Sequence, residues 1–151
     1  MRFLNRKWVD GGYDEETTYL YLGVYLRHLE DLAPDAPTNV RVLGAISQGH
    51  NLIGSQVAAT TLDREAASFH LVLRIQTIEG DRFMDVRYKG VDPESVDEHA
   101  FDGVDYVLTD ELDVAPDERF EHRILLSPEG EFAIQFSDLE LKVSRGKNEE
   151  E

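Results

Sequence analysis

The sequence predicts an α+β protein, in which a mostly antiparallel, curled β-sheet of about five to eight strands is covered by one main N-terminal helix. Two stretches, residues 69–88 and 119–136, alternate apolar and polar side chains in the manner of half-buried β-hairpins. One amphipathic stretch, residues 14–33, precedes them. A sheet that curls until it is barrel-like remains an open variant of this architecture.

The main helix is predicted to run from Asp14 to about Ala33. Asp14 has the short acceptor side chain of an N-cap, and Glu15 and Glu16 follow in the first turn, where the helix dipole favours acids. Pro34 cannot continue a helix. Apolar side chains recur at helical spacing between these limits: Leu22, Leu26, Leu29 and Ala33.

Tyr21 and Val24 widen the apolar surface of this helix beyond a single stripe. The excess can pack under the N-terminal residues of the same chain, or it can meet a second subunit. The protein is therefore expected to be a monomer or a homodimer.

Residues 39–48 are ambiguous between strand and helix. The β-branched residues Val40, Val42 and Ile46 favour a strand, but Gly44 weakens either assignment. After a turn at residues 49–51, residues 52–62 are predicted to form a strand. One side of it would carry Ile53, Val57 and Ala59.

The first predicted hairpin, residues 69–88, is closed by a two-residue turn at Glu79 and Gly80. With this turn Leu73 pairs with Val86, and the neighbouring pairs on the same apolar face are Ile75 with Met84 and Leu71 with Tyr88. On the opposite face, Arg74 meets Asp85 in a cross-strand charge pair.

The second predicted hairpin has a three-residue loop, residues 128–130. Ile124 then lies opposite Ile134, with Leu126 opposite Phe132 and His122 opposite Phe136. A slip of one residue would move these side chains to the other face. Beyond residue 136 the apolar positions change from even to odd numbers, which predicts a bulge, bend or tight turn at residues 137–138.

The length of 151 residues suits one α+β domain, residues 1–145, followed by a disordered charged tail at residues 146–151. There is no cysteine, so neither disulfides nor thiolate chemistry is expected. No run of apolar residues is long enough to span a bilayer, and a cytoplasmic location is expected.

The net charge of −16, from 31 acids against 15 bases, repels nucleic acid and anionic membranes and attracts basic partners. A segment without lysine or arginine concentrates the acids that are predicted to dock a basic protein: Asp92, Glu94, Asp97, Glu98, Asp102, Asp105, Asp110, Glu111 and Asp113. A solvated face, or an organism-wide bias toward acidic proteins, would give the same pattern.

No catalytic constellation can be named. The five histidines lack metal-ligand spacing, and no phosphate-binding or nucleophile-elbow motif is present. No cofactor is therefore predicted. One acid-rich group could collect a divalent cation through oxygen ligands: Asp92, Glu94, Asp97, Glu98 and His99.

Several short motifs follow one another along the chain: F-L-N-R-K-W (3–8), Y-L-x-x-L-x-x-L (25–32), G-H-N-L-I-G (49–54), F-H-L-V-L-R-I (69–75), Y-V-L-T-D-E-L (106–112), F-E-H-R-I-L-L (120–126) and I-Q-F-S-D-L-E-L (134–141). This order resembles a family of small uncharacterised bacterial cytosolic proteins, a domain of unknown function. The resemblance implies a short helix before the turn at residue 50. It also implies a histidine–aspartate pair where this chain has His50 and Asn51. It implies no activity.

Three functions follow from these observations. The first is a non-catalytic acidic interaction protein, such as an immunity or inhibitor protein that neutralises a basic toxin or nuclease. The second is a small-ligand binding protein with a pocket between helix and sheet, lined by Tyr19, Tyr25, Tyr88, Phe120 and His122. The third is a metal-dependent hydrolase that uses the carboxylates and His50.

Overall fold

The structure is a computed structural model that describes residues 1–145, and it has the α+β class that the sequence predicts. Within these residues, seven strands form two antiparallel sheets, and two long helices pack against them. The two sheets, as far as the described residues go, do not close into a barrel. The predicted charged tail at residues 146–151 lies outside the described residues.

The helical elements are α1 (Arg6–Val9), α2 (Glu15–Leu32), a short 3₁₀ helix (Ala33–Asp35) and α3 (Thr38–Gln48). The predicted start of α2 is confirmed, because the Asp14 side chain accepts a hydrogen bond of 2.7 Å from the backbone N–H of Thr17. Its predicted end is confirmed too, since Ala33 is the C-cap.

Residues 38–48 form a helix, as the family resemblance implies and against their β-branched composition. The reason is tertiary packing, because Val40, Leu43 and Ser47 lie on one face and are all buried. The expectation that a single N-terminal helix covers the sheet is wrong, since α3 shares that role with α2.

The larger sheet has the order β1-β2-β3-β7, with strands β1 (Gln56–Asp63), β2 (Ser68–Thr77), β3 (Gly80–Lys89) and β7 (Asp138–Arg145). The smaller sheet has the order β4-β5-β6, with strands β4 (Tyr106–Ala115), β5 (Arg119–Ser127) and β6 (Glu131–Phe136). The predicted strand at residues 52–62 begins later than expected, because residues 51–54 form a turn.

The predicted pairing of β2 with β3 is wrong by two residues. Leu73 lies opposite Met84, and Val86 lies opposite Leu71. The loop consists of residues 78–79, and the Thr77 hydroxyl closes it by donating a hydrogen bond of 2.6 Å to the carbonyl of Gly80. The apolar faces are preserved, because a shift of two residues returns each side chain to its own face.

The predicted charge pair between Arg74 and Asp85 is also wrong. Arg74 lies opposite Phe83 and contacts the side chain of Gln56, and Asp85 contacts His70 instead. The two-residue slip explains this change, because it moves Asp85 away from the position opposite Arg74.

The pairing of β5 with β6 slips in the same way, so Ile124 lies opposite Phe132 instead of Ile134. Pairing ends at Leu125 and Glu131, and the Leu126 N–H donates to the Gly130 carbonyl at 2.9 Å, so the three residues that this bond encloses are 127–129 instead of the predicted 128–130. The predicted irregularity at residues 137–138 is confirmed as a bend where the chain passes from β6 in one sheet to β7 in the other.

The inner faces of the two sheets meet through aromatic side chains. The rings of Phe69 and Phe132 lie 5.3 Å apart between centroids, and those of Tyr88 and Phe136 lie 5.2 Å apart. Among residues 1–145, no helix has both the length and the apolar composition that crossing a membrane requires.

Candidate acidic interface

The acidic segment predicted as a docking surface divides into two groups. Six carboxylates lie on the loop between β3 and β4 and are exposed: Asp92, Glu94, Asp97, Glu98, Asp102 and Asp105. The other three belong to β4, where Asp110, Glu111 and Asp113 are only 1%, 0% and 3% exposed. The structure therefore places the first six on the surface and the last three inside the fold.

The β3–β4 loop is held against the core by apolar side chains. Val91 and Val96 are buried, and the ring of Phe101 lies 4.7 Å from that of Phe132. The Val91 N–H also donates to the carbonyl of Ala67 at 3.0 Å. The six exposed carboxylates are thus displayed from an anchored segment.

Few basic groups oppose these carboxylates. Arg64, in the β1–β2 turn, lies 3.3 Å from Glu94 and 3.3 Å from Glu98, and all three side chains are exposed. His99 lies 3.1 Å from Asp102 within the loop. Within the described part of the chain, no lysine or arginine pairs with the other four loop acids.

Further exposed acids surround the root of this loop. Backbone hydrogen bonds bring that root close to the β1–β2 turn and to residue 137, and the Arg119 guanidinium reaches the Gly90 carbonyl at 2.6 Å. We call this end of the molecule the acidic pole, made up of Asp31, Asp35, Asp63, Glu65, Asp92, Glu94, Glu98, Asp117 and Glu118. Sequence reasoning did not assemble this group, because its members come from four separate segments.

Glu111 holds the N-terminal segment. Its carboxylate accepts hydrogen bonds from the backbone N–H groups of Arg2 (3.0 Å), Phe3 (2.6 Å) and Leu4. The guanidinium of Arg123 lies 3.2 Å from the same carboxylate. A carboxylate without solvent exposure is stable only with such donors, so Glu111 has a structural role.

Asp113 lies on the same face of β4. Arg123 contacts it at 2.8 Å and Arg2 at 3.2 Å. His28 Nε2 lies 2.8 Å from an Asp113 oxygen but forms no hydrogen bond with it. Burial tends to raise the pKa of Asp113, but the hydrogen bonds from Arg123 and from the Val114 N–H outweigh it and leave the pKa below its ordinary value.

Asp110 faces the core with His122 and Tyr88. His122 Nε2 is 2.8 Å from the Asp110 carboxylate, and His122 Nδ1 is 2.6 Å from the Tyr88 hydroxyl. The two ring nitrogens of His122 thus link the Asp110 carboxyl group to the Tyr88 hydroxyl. Burial and the charge of Asp110 raise the pKa of Tyr88 well above its ordinary value. His122 and Tyr88 have no exposed surface, so this chain of hydrogen bonds is closed to a substrate.

The structure does not bring the five predicted pocket residues together around a cavity. Tyr19 is 64% exposed on α2. Tyr88 and His122 are packed in the core, and Phe120 lines a shallow groove at the acidic pole.

Tyr25, the fifth predicted pocket residue, supports the free edge of β4. Its hydroxyl accepts from the Leu112 N–H at 2.8 Å and lies 2.5 Å from the Ser47 hydroxyl, which donates to the Asp110 carbonyl. Burial raises the pKa of Tyr25. Two helices thereby satisfy backbone groups that a further strand would otherwise pair.

The acid-rich group that could collect a divalent cation is not arranged to do so. Among residues 1–145, no three histidine, aspartate or glutamate side chains are arranged to hold a metal ion. His50 lies beside Trp8, with 6.3 Å between ring centroids, and its Nδ1 atom is buried without a hydrogen-bond partner in the described residues.

Comparison with models of known protein families gives no match, and comparison with curated protein sequences gives none either. The resemblance to a bacterial domain of unknown function therefore stays a prediction.

Proposed function

We propose that this protein is a non-catalytic, cytoplasmic binding protein that docks a basic protein, in the manner of an immunity or inhibitor protein. The observation that carries the proposal is the anchored β3–β4 loop, which presents six exposed carboxylates. Among residues 1–145, Arg64 pairs with two of them, Glu94 and Glu98, and the other four pair with no lysine or arginine. Such a surface is complementary to a cluster of lysine and arginine side chains.

The electrostatics of the whole chain support the same partner. A net charge of −16 produces a field that steers cationic proteins toward the surface and speeds their encounter. Screening by salt shortens the range of this field, so the affinity of the complex is expected to fall as salt is added.

The two other hypotheses have less support. The space between α2 and the sheets is filled by side chains where a ligand pocket was expected, since Tyr25, Tyr88 and His122 are fully buried. For the hydrolase, His50 and the carboxylates of the loop are not arranged around a common point among residues 1–145.

The test begins with the immobilised full chain and an extract of the cells that contain it, at about 50 mM salt. The predominant bound protein is identified, purified and titrated by calorimetry at about 50 mM and about 300 mM salt. We expect a partner with net positive charge whose Kd weakens at least about tenfold at the higher salt concentration.

A matched pair of variants locates the surface. The loop variant Glu94→Gln/Asp97→Asn/Glu98→Gln should lose most of the affinity. The control variant Asp10→Asn/Glu79→Gln/Glu129→Gln removes the same charge from exposed positions elsewhere and should retain it. A partner that is neutral or acidic, or equal losses in the two variants, would contradict the proposal.

A further inference from the structure

A groove of about 500 Å³ lies at the acidic pole, between the end of α2 and the β4–β5 turn. One wall is formed by Leu32, Asp35 and Pro37, and the other by Val114 and Phe120. Leu32 and Phe120 are nearly buried, whereas Val114 is 55% exposed although it is apolar. The groove therefore has an apolar floor that is open to solvent.

The rim of the groove is acidic. Asp31 and Asp35 stand on the helical wall, and Glu118 stands on the turn opposite. All three carboxylates are exposed, and none forms an ion pair or a side-chain hydrogen bond within residues 1–145. A cation placed between the walls would interact favourably with carboxylates on both sides.

The end of α2 adds to this negative potential. Carbonyl groups at a helix C-terminus carry a partial negative charge that favours basic side chains. The last turn of α2 has no basic residue and instead carries Glu30 and Asp31. No basic side chain of α2 itself opposes this partial charge.

Arg119 is the one basic residue that lines the groove, and its Nη2 atom is engaged on the inner side. That atom donates to the carbonyls of Gly90 at 2.6 Å and of Gln135 at 3.0 Å. The Nε atom is buried and has no hydrogen-bond partner in the described part of the chain. The guanidinium is held by backbone carbonyls of the chain itself, on the inner side of the groove.

We propose that this groove binds a basic segment of the partner protein and takes up one lysine or arginine side chain. The aliphatic stem of that side chain packs against Leu32, Phe120 and Val114, and its charged end lies between Asp31, Asp35 and Glu118. This inference rests on the proposed function, because it names the part of the basic partner that is recognised.

The probe is acetylated and amidated hexalysine, which is titrated into the ¹⁵N-labelled full chain at low salt. We expect amide shifts concentrated at residues 31–37 and 114–120. The groove variant Asp35→Asn/Glu118→Gln should weaken binding about tenfold, and Val114→Ser, which removes exposed apolar surface only, about threefold.

The control variant Glu79→Gln/Glu129→Gln removes the same charge at the far end of the molecule, because Glu129 is separated from Glu118 by the length of β5, about 30 Å. It should weaken binding less than about twofold. Equal losses of affinity in both variants, or amide shifts spread over the whole acidic surface, would contradict the assignment of the binding site to the groove.

The two proposals fail in different ways. In one outcome, the groove variant binds hexalysine and the purified partner as tightly as the wild-type chain does, while the loop variant has lost the partner. The groove is then not the binding site for the basic segment, and the proposed function stands. If no basic protein is retained by the wild-type chain, the proposed function itself is wrong.

Discussion

The β3–β4 loop and strand β4 are neighbours in the sequence and both contain several acids, but their carboxylates have opposite environments. In the loop, six carboxylates face solvent, and Arg64 pairs with two of them, Glu94 and Glu98. In β4, Glu111 and Asp113 are buried on the face that the N-terminal segment covers, and Arg123 contacts both. Asp110 is buried on the other face, next to His122.

The comparison shows that the number of acids in a segment does not reveal what they do. A buried carboxylate must have donors and a counter-charge, so its removal or exposure affects folding. An exposed carboxylate is solvated by water and contributes little to folding, so it is free to serve binding. The same kind of substitution should therefore change the free energy of unfolding more in the buried group than in the exposed group.

The largest difference is expected between two arginines. Arg123→Met leaves the carboxylates of Glu111 and Asp113 buried without their main counter-charge, and it should lower the free energy of unfolding by about 3–5 kcal/mol. Arg64→Met removes the partner of two exposed carboxylates and should cost about 0–1 kcal/mol. Urea unfolding followed by circular dichroism at neutral pH measures both, and equal losses would refute the distinction.

A smaller loss is expected from Glu111→Gln. The amide keeps one acceptor but loses the charge that holds three backbone N–H groups and Arg123, so unfolding should become easier by about 1.5–3 kcal/mol. Hydrogen exchange should show reduced protection of the amides of Phe3 and Leu4. Glu94→Gln, which alters an exposed loop acid, is the control. Unchanged protection at Phe3 and Leu4 would mean that Glu111 does not hold the N-terminal segment.

The smallest effect concerns pH. The pKa of Asp113 is lowered in the folded protein, so the unfolded chain binds more protons between the two pKa values, and stability rises with pH there. This contribution is complete above the ordinary aspartate pKa of about 3.9 and is lost as the pH falls through the lower, folded value.

The difference in unfolding free energy between the wild type and Asp113→Asn should therefore be constant near neutral pH and shrink below about pH 4. Urea unfolding at a series of pH values measures it. The exposed-loop control, Asp105→Asn, should differ from the wild type by less than about 0.5 kcal/mol throughout. A difference for Asp113→Asn that grows toward acid pH would mean that folding does not lower the pKa of Asp113.

The two hairpins illustrate which parts of the fold are accessible to sequence reasoning. Their apolar faces were predictable because side chains alternate with a period of two along a strand. Their pairing was not, because a slip of two residues leaves both faces intact and changes only which side chains are opposite. The position of the turn determines the pairing. In the β2–β3 turn, Ile78 is fully exposed, and no hydrophobic pattern predicts an exposed isoleucine there.

The candidate interface was predictable only in part. The six loop acids are where a polar segment rich in turns is expected. Glu111 and Asp113 alternate with Leu112 and Val114, as solvent-facing acids of an exposed strand would. Nothing local indicates that Arg2–Leu4, α2 and Arg123 cover them. The groove at the acidic pole was not predictable, because its walls come from residues that are about eighty positions apart.

The sequence by itself determined the start and end of α2, the faces of the strands and the negative charge of the chain, because these depend on local capping, on side-chain period and on composition. The tertiary structure decided the helical state of residues 38–48, the pairing of the strands, the division into two sheets and the burial of three acids. Burial is decided by which distant segment covers a residue, and that is a property of the packed molecule.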